Sequence, residues 1–375
     1  MILLVVEKVS STQNASSFLQ SDFWARFKEN HGWASFHLCV KYENEKTNGV
    51  FYFTLLTRCL LSSFFIGYVP MFPNALPNVL KEENAYPELL TAITKAFYKE
   101  FNHKLVFVRF DLDLSLRVDN AMGEASHSDK AERPHLNLKK ANGFHLAKTK
   151  TDIQPPDTVI LDLTLNLDEL SSQFKSKWRY NIRLSEKKGC TVKKLEMKTD
   201  EEIETGISLF YNLYKTTSSR DGIAIHSKDY YKDLFFLACE YQDVSVRLYV
   251  AFYGEQALGA IITMFYKDEA TYLYGASSNE KRNLMPTYLL QWQAIMDAKE
   301  WGAKTYDFYG IPPIDDPHHP MVGLYRFKTG FGGVIVHRIG SIDVYKSRFL
   351  YRLYSFIEAL RSFYFKKIKK LFKRR

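Results

Sequence analysis

The chain has 375 residues, 46% apolar and 25% charged, which suits two globular domains of ordinary size and excludes a disordered chain. Its four cysteines, Cys39, Cys59, Cys190 and Cys239, form no CxxC pair, which excludes cysteine zinc sites and redox motifs and suits reduced thiols in a cytosol. The net charge of +9 is not spread evenly: residues 346–375 hold eleven Lys/Arg and a single acid, Glu358, while the other 345 residues hold 40 bases and 41 acids.

The N-terminal run Met1–Val6 lacks a basic n-region and meets Glu7 too early for a signal peptide. Gln20 to Phe27 has helical spacing and leads into Lys28 and Gly32-Trp33. Strand-like runs follow at 34–41, 49–56 and 64–69. Residues 59–80 carry no charge, but Pro70, Pro73 and Pro77 break any spanning helix, so they read as strand, turn and loop. Pro87–Phe101 is expected to be a helix and Leu105–Phe110 a buried strand. Residues 114–150, rich in Asn, Ser, Lys, His and Asp, read as a long loop or mobile insertion closed by Gln154-Pro155-Pro156.

The second half repeats this grammar. A strand at Thr158–Leu163 precedes helices at Asp168–Glu186 and Ile203–Thr216. Strands are expected at Val246–Phe252, Leu258–Tyr266 and Ala270–Gly275, the first two joined by a hairpin turn at Gly254-Glu255. A helix at Pro286–Trp301, closed by Gly302, then leads to a buried strand at Lys304–Phe308. The periodicity supports an α/β class.

Four constellations carry candidate chemistry. The segment Thr305–Gly333 holds Asp307-Phe308-Tyr309-Gly310, then Phe327-Lys328 before Gly330, Gly332 and Gly333. Arg282-Asn283-Leu284-Met285-Pro286-Thr287 lies between a strand and a helix. Leu19 to Lys28, followed by Gly32-Trp33, opens the chain, and Ser219-Arg220-Asp221-Gly222 precedes Tyr230-Tyr231. Tyr272 and Tyr274 alternate on a strand and read as substrate contacts or as buried sheet tyrosines. Asp315, Asp316, His318 and His319 lack helical ligand spacing, so no metal site is expected; GxSxG and HExxH are absent.

Together with Tyr68-Val69-Pro70 and the run 154–192, these segments resemble the FemABX family, in its compact type without a coiled-coil arm. The resemblance implies two GNAT (acyl-CoA N-acyltransferase)-like domains facing a shared cleft: 1–155 plus 334–375 for the precursor, and 156–333 for the aminoacyl donor. It implies an aminoacyltransferase that moves Gly, Ala or Ser from aminoacyl-tRNA onto the side-chain amine of a peptidoglycan precursor stem peptide, lipid-linked or UDP-linked. No coenzyme or metal is implied, and we expect a monomer.

By the same resemblance Lys328 stabilises the oxyanion of the tetrahedral intermediate, its alternative being a surface lysine before a turn. Phe327 packs the lysine or the substrate. Lys28 holds the precursor's diphosphate or is a helix surface lysine, and Arg220 is a looser match to a phosphate-binding arginine. Tyr274 and Tyr309 are substrate contacts, and Asp307 is a candidate base. Coenzyme A-binding relatives of the fold carry glycines where this chain has Met285 and Thr287, so that site reads as damaged. Arg282 remains, to bind phosphate or carboxylate or to cap its helix. The alternatives are an acyl-CoA-dependent N-acyltransferase of the same fold and a non-catalytic membrane- or RNA-binding protein.

The basic C-terminus is patterned. Phe349, Leu353, Phe356, Ile357, Leu360, Phe363, Tyr364, Ile368 and Leu371 recur at three- and four-residue steps, with bases elsewhere and in the closing KKIKKLFKRR. Residues 346–375 are therefore expected to touch an anionic membrane surface, placing a cytoplasmic protein at the membrane's inner face. The alternatives are a docked helix or a tail that touches RNA.

Overall fold

The computed structural model of the chain describes residues 3–12, 15–43, 48–60, 63–72, 85–101, 103–122 and 140–363. The described residues fall into two compact units, one within Met1–Asp113, His135–Ile153 and Gly340–Arg375, the other within Leu114–Pro134 and Gln154–Ile339.

In the first unit β1 (Leu3–Lys8), β2 (Ala34–Glu43), β3 (Asn48–Cys59) and β4 (Phe65–Phe72) pair antiparallel in that order. Helix α2 (Ala85–Glu100) then crosses over, so β5 (Leu105–Asn120) lies parallel to β4. Short α1 (Asp22–Glu29) is started by Ser21, whose hydroxyl accepts from the Trp24 amide. The expected helix at Gln20 to Phe27 thus begins only at Asp22, because Phe18–Gln20 form a separate tight turn. Gln20 is buried and ties β3 to β4: its amide meets the Thr54 N–H and the Pro70 carbonyl.

The second unit uses the same plan. After β7 (Asp157–Asp162) come α3 (Leu167–Ser172), α4 (Ser176–Lys187), β8 (Cys190–Leu195), α5 (Asp200–Asp221) and α6 (Lys228–Ala238). Strands β9 (Val244–Tyr253), β10 (Gln256–Tyr266) and β11 (Glu269–Ser277) form an antiparallel meander edged by β8. Helix α7 (Pro286–Trp301) crosses over to β12 (Thr305–Gly310), which pairs parallel to β11 and antiparallel to β7. Pro286 occupies the first turn, where its missing N–H costs nothing, and Gly302 ends α7 at φ +95°. Strand β13 (Val334–Tyr345) follows α8 (Val322–Thr329); its first residues pair with β7 and its last with β6 (His145–Lys148). Helix α9 (Arg348–Phe363) ends the described chain.

Two further readings need correction, and three elements were not foreseen. The expected helix Asp168–Glu186 is two helices, because Phe174 turns into the core between them and Arg179 Nη1 donates to the freed Phe174 and Ser172 carbonyls. Residues 114–120, read as insertion, continue β5, and 145–148 form β6; the middle of that insertion lies outside the described residues. The hairpin at Gly254-Glu255 is present, but β1, β8 and α6 go unannounced by the sequence pattern.

Candidate active site

Lys328 lies in the last turn of α8 and is only 5% exposed, so the surface-lysine alternative is ruled out. Its ammonium donates to the Gly310 carbonyl at 2.9 Å and the Tyr309 carbonyl at 3.3 Å, and stands 5.3 Å from the Tyr272 ring centroid. An ammonium has three N–H donors. The third has no partner among the described residues. Burial disfavours the charge and pulls the group down to about 7, while nearby Asp307 opposes that fall.

The two carbonyls reach Lys328 because the end of β12 is irregular. Pairing with β7 shifts register between Asp307 and Gly310, and Tyr309 sits at φ +61°, a strained conformation for a residue with a side chain. The strain is held from both ends of Tyr309. Its amide donates to Asp307 Oδ1 at 2.7 Å and its hydroxyl donates to Gln154. Gly310 is required, since a Cβ there would lie 2.5 Å from Pro155. Asp307 is itself buried and accepts from the Thr158 hydroxyl; burial raises its carboxyl above the ordinary value, against Arg338, Thr158, the Tyr309 amide and Lys328.

The α8 terminus is clamped by α4. Trp178 Nε1 donates to the Phe327 carbonyl at 2.8 Å, and the Lys175 amide to the Gly330 carbonyl at 2.9 Å. A Cβ on Gly330 would fall 2.2 Å from the Trp178 indole. Phe327 packs edge-on against Tyr288 and Phe331, at 5.1 and 5.4 Å. Tyr274 packs in a tyrosine cluster, 5.1 Å from Tyr231 and 6.4 Å from Tyr214, and burial drives its hydroxyl far up, with Tyr230, Tyr231 and Tyr309 adding to the shift.

In the first unit Lys28 closes α1, half-buried, with its ammonium 5.5 Å from the Trp24 ring and 6.0 Å from the Trp33 ring. The Arg58 guanidinium lies 5.7 Å from the same Trp33 ring. Burial first, and then the Arg58 charge, lower Lys28 to about 8. Two cations beside one indole repel each other, an arrangement that an anion between them would relieve.

A model of the FemAB family matches residues 5–253 and 247–359. The chain belongs to the FemAB family. Among curated relatives, the lipid II:glycine glycyltransferase of Staphylococcus epidermidis is 24% identical over 407 residues, covering 89% of each chain. That of Staphylococcus aureus is 25% identical over 411 residues, again with 89% of each covered. With relatives of this kind the chain is an aminoacyltransferase. The crystal structure of FemX superposes with a TM-score of 0.67 at 20% identity, covering 93% of this chain and 99% of that one. The fold class is therefore the mixed α/β fold of FemX, with no coiled-coil arm among the described residues.

Within this FemAB chain the two remaining arginines differ. Arg220, in the last turn of α5, has five N–H donors, and all find acceptors: Asp221 twice, the Ser277 carbonyl and hydroxyl, and Asn279. Those bonds clasp α5 to the end of β11, so a phosphate would have to displace one of them. Arg282 is exposed, and its side chain has no hydrogen bond or ion pair among the described residues. Around it the Leu284 and Met285 amides donate to the Lys281 and Arg282 carbonyls. Met285 takes φ +55°, the left-handed region that favours glycine. Among the described residues no three His, Cys, Asp or Glu form a metal-ligating group, and the Asp315 carboxylate is engaged by Arg326 at 2.8 Å.

Arg58, Asp307, Thr158 and Gln154 complete these groups and were not singled out as site residues from sequence, apart from Asp307 as a candidate base. Arg58 lacked any signal, being a lone cation at a strand end. The pairing of Asp307 with Tyr309 in one short segment was legible as DFYG.

Proposed function

We propose that the protein transfers an aminoacyl group from aminoacyl-tRNA to the side-chain amine of a peptidoglycan precursor's stem peptide. Glycine is the residue named for the curated relatives and lipid II their named acceptor, so glycine and a lipid-linked precursor are the first pair to test. A lipid-linked acceptor would bring the protein to the inner face of the cytoplasmic membrane.

The observation that carries this reading is Lys328, a buried ammonium with a donor left over. The acceptor amine attacks the ester carbonyl carbon; a C–N bond forms and the carbonyl oxygen becomes an oxyanion. Lys328 stabilises that charge in a site shielded from water, where a preorganised cation acts most strongly. Collapse breaks the C–O bond and expels the tRNA ribose oxygen, which takes up a proton to become a hydroxyl; Asp307, whose carboxyl burial raises, is a candidate to carry the amine's proton. Tyr309 and Gly310 set the position of Lys328, while Phe327 fixes the end of α8 by packing on Tyr288 and Phe331. In the first unit Lys28, with Arg58, serves the precursor's diphosphate through charge-assisted contacts.

The coenzyme A alternative has less support, because Met285 and Thr287 stand where the resemblance puts glycines and the Leu284 and Met285 amides are bonded internally. Incubation of the protein with charged tRNAs and a lipid-linked precursor, read by mass spectrometry, tests the proposal. One added aminoacyl residue on the precursor is expected. An unmodified precursor, with an acyl group accepted from coenzyme A instead, would overturn it.

A further inference from the structure

Helix α9 packs on the first unit through one side only. The Tyr354 and Tyr351 rings stand edge-on at 4.9 and 5.9 Å from Phe107, and Tyr351 also stacks 3.9 Å from Tyr345. The Tyr351 hydroxyl donates to Asp343 Oδ2 at 2.9 Å, on a buried carboxylate already held by Arg109. The helix is thus fixed by its inner face.

Its outer face is apolar. Phe349 is 73% exposed, Leu353 45%, Phe356 62%, Ile357 48% and Leu360 52%. With 3.6 residues per turn these five fall within an arc of about 100°, turned away from Tyr351 and Tyr354. Single exposed apolar residues are ordinary, but five in one stripe mark an interaction surface. Exposed Arg348 and Arg352 border one edge of the stripe, Arg361 the other, and the helix's one acid, Glu358, lies off it. The sequence beyond, 364–375, adds seven Lys/Arg and no acid.

We propose that this face of α9 docks on an anionic lipid surface, with the helix parallel to the membrane, its stripe at the headgroup–acyl boundary and its arginines level with lipid phosphates. Helices with this division of faces bind in that way. The charge pattern selects lipid over other occupants. An RNA would match the bases but leave five apolar side chains in water. A second copy would match the stripe but set one strongly basic segment against another, since residues 346–375 carry eleven bases and one acid. The proposal is independent of the transfer chemistry.

The test is sedimentation of the full chain with phosphatidylcholine vesicles, with and without phosphatidylglycerol. Binding that needs phosphatidylglycerol and weakens with added salt is expected. The double variant Phe349→Ser, Phe356→Ser should lose at least tenfold in vesicle affinity with an unchanged melting temperature. Arg348→Gln and Arg352→Gln should lose about fivefold each, the worth of one base near such a surface. Double-variant binding equal to wild type would overturn the proposal, as would equal binding to phosphatidylcholine alone. A wild-type dimer dispersed by the double variant, or tRNA binding lost with it, would assign the face to a second copy or to RNA instead. Transfer to a soluble precursor should persist in the double variant, which keeps this outcome separate from the transfer reaction.

Discussion

Among the described residues each unit carries one lysine drawn below its ordinary value, Lys328 to about 7 and Lys28 to about 8, and the two get there differently. Lys328 is enclosed, opposed by a carboxylate, and anchored by two backbone carbonyls. Lys28 is half-buried on two indoles and pushed further by a second cation, Arg58. A cation sealed from water with a spare donor suits charge that appears only during reaction. Two adjacent, partly open cations suit charge that arrives with a ligand. On the proposed reading, this contrast puts chemistry in the second unit and recognition in the first.

Alanine in place of Lys328 should separate the two roles most sharply. Turnover should fall by about 10²–10³, the usual loss for one oxyanion donor, with precursor affinity little changed. Steady-state kinetics beside direct binding measurements check this, and turnover within a few-fold of wild type would break the contrast. Lys28→Ala should do the reverse, weakening precursor binding by about 1.5–3 kcal/mol at nearly constant turnover of the bound complex. Because its value is lowered, Lys28 loses its charge as pH rises through about 8, so calorimetric affinity for the precursor should fall above that pH and stay flat in the variant.

Smaller effects are expected at the arginines. Arg220→Ala removes the clasp between α5 and β11 and should lower thermal stability by about 1 kcal/mol, with a smaller change in precursor affinity than Lys28→Ala. Arg282→Ala, exposed and without a described partner, should leave stability within about 0.5 kcal/mol. A precursor affinity that drops as far in Arg282→Ala as in Lys28→Ala would extend recognition into the second unit.

The α/β class was legible because the longer elements are strongly periodic, while the doubled plan came from the family resemblance. Pro286 and Gly302 bracket α7, and the hairpin at Gly254-Glu255 carries its turn chemistry openly. Short elements decided by tertiary packing were not legible. Phe174 breaks a helix only because the core has a place for its ring, and β8 reads as a strand only beside β9. The segment TYDFYG and Lys328 stood out by composition. That Lys328 is buried, and that Tyr309 turns its carbonyl inward at a positive φ, depends on a register shift that no local pattern encodes. Arg58 meets Lys28 across a strand and a helix, beyond the reach of spacing rules.

The most direct test of the buried, poised cation is an NMR titration of 13Cε-labelled lysines in the wild-type chain and in Lys328→Arg. A resonance titrating near 7 should be present in the wild type and missing from the variant, with a second, near 8, unchanged in both. If every lysine titrates near its ordinary 10.5, or if the resonance near 7 survives in Lys328→Arg, then Lys328 is not the buried cation on which the transfer chemistry rests.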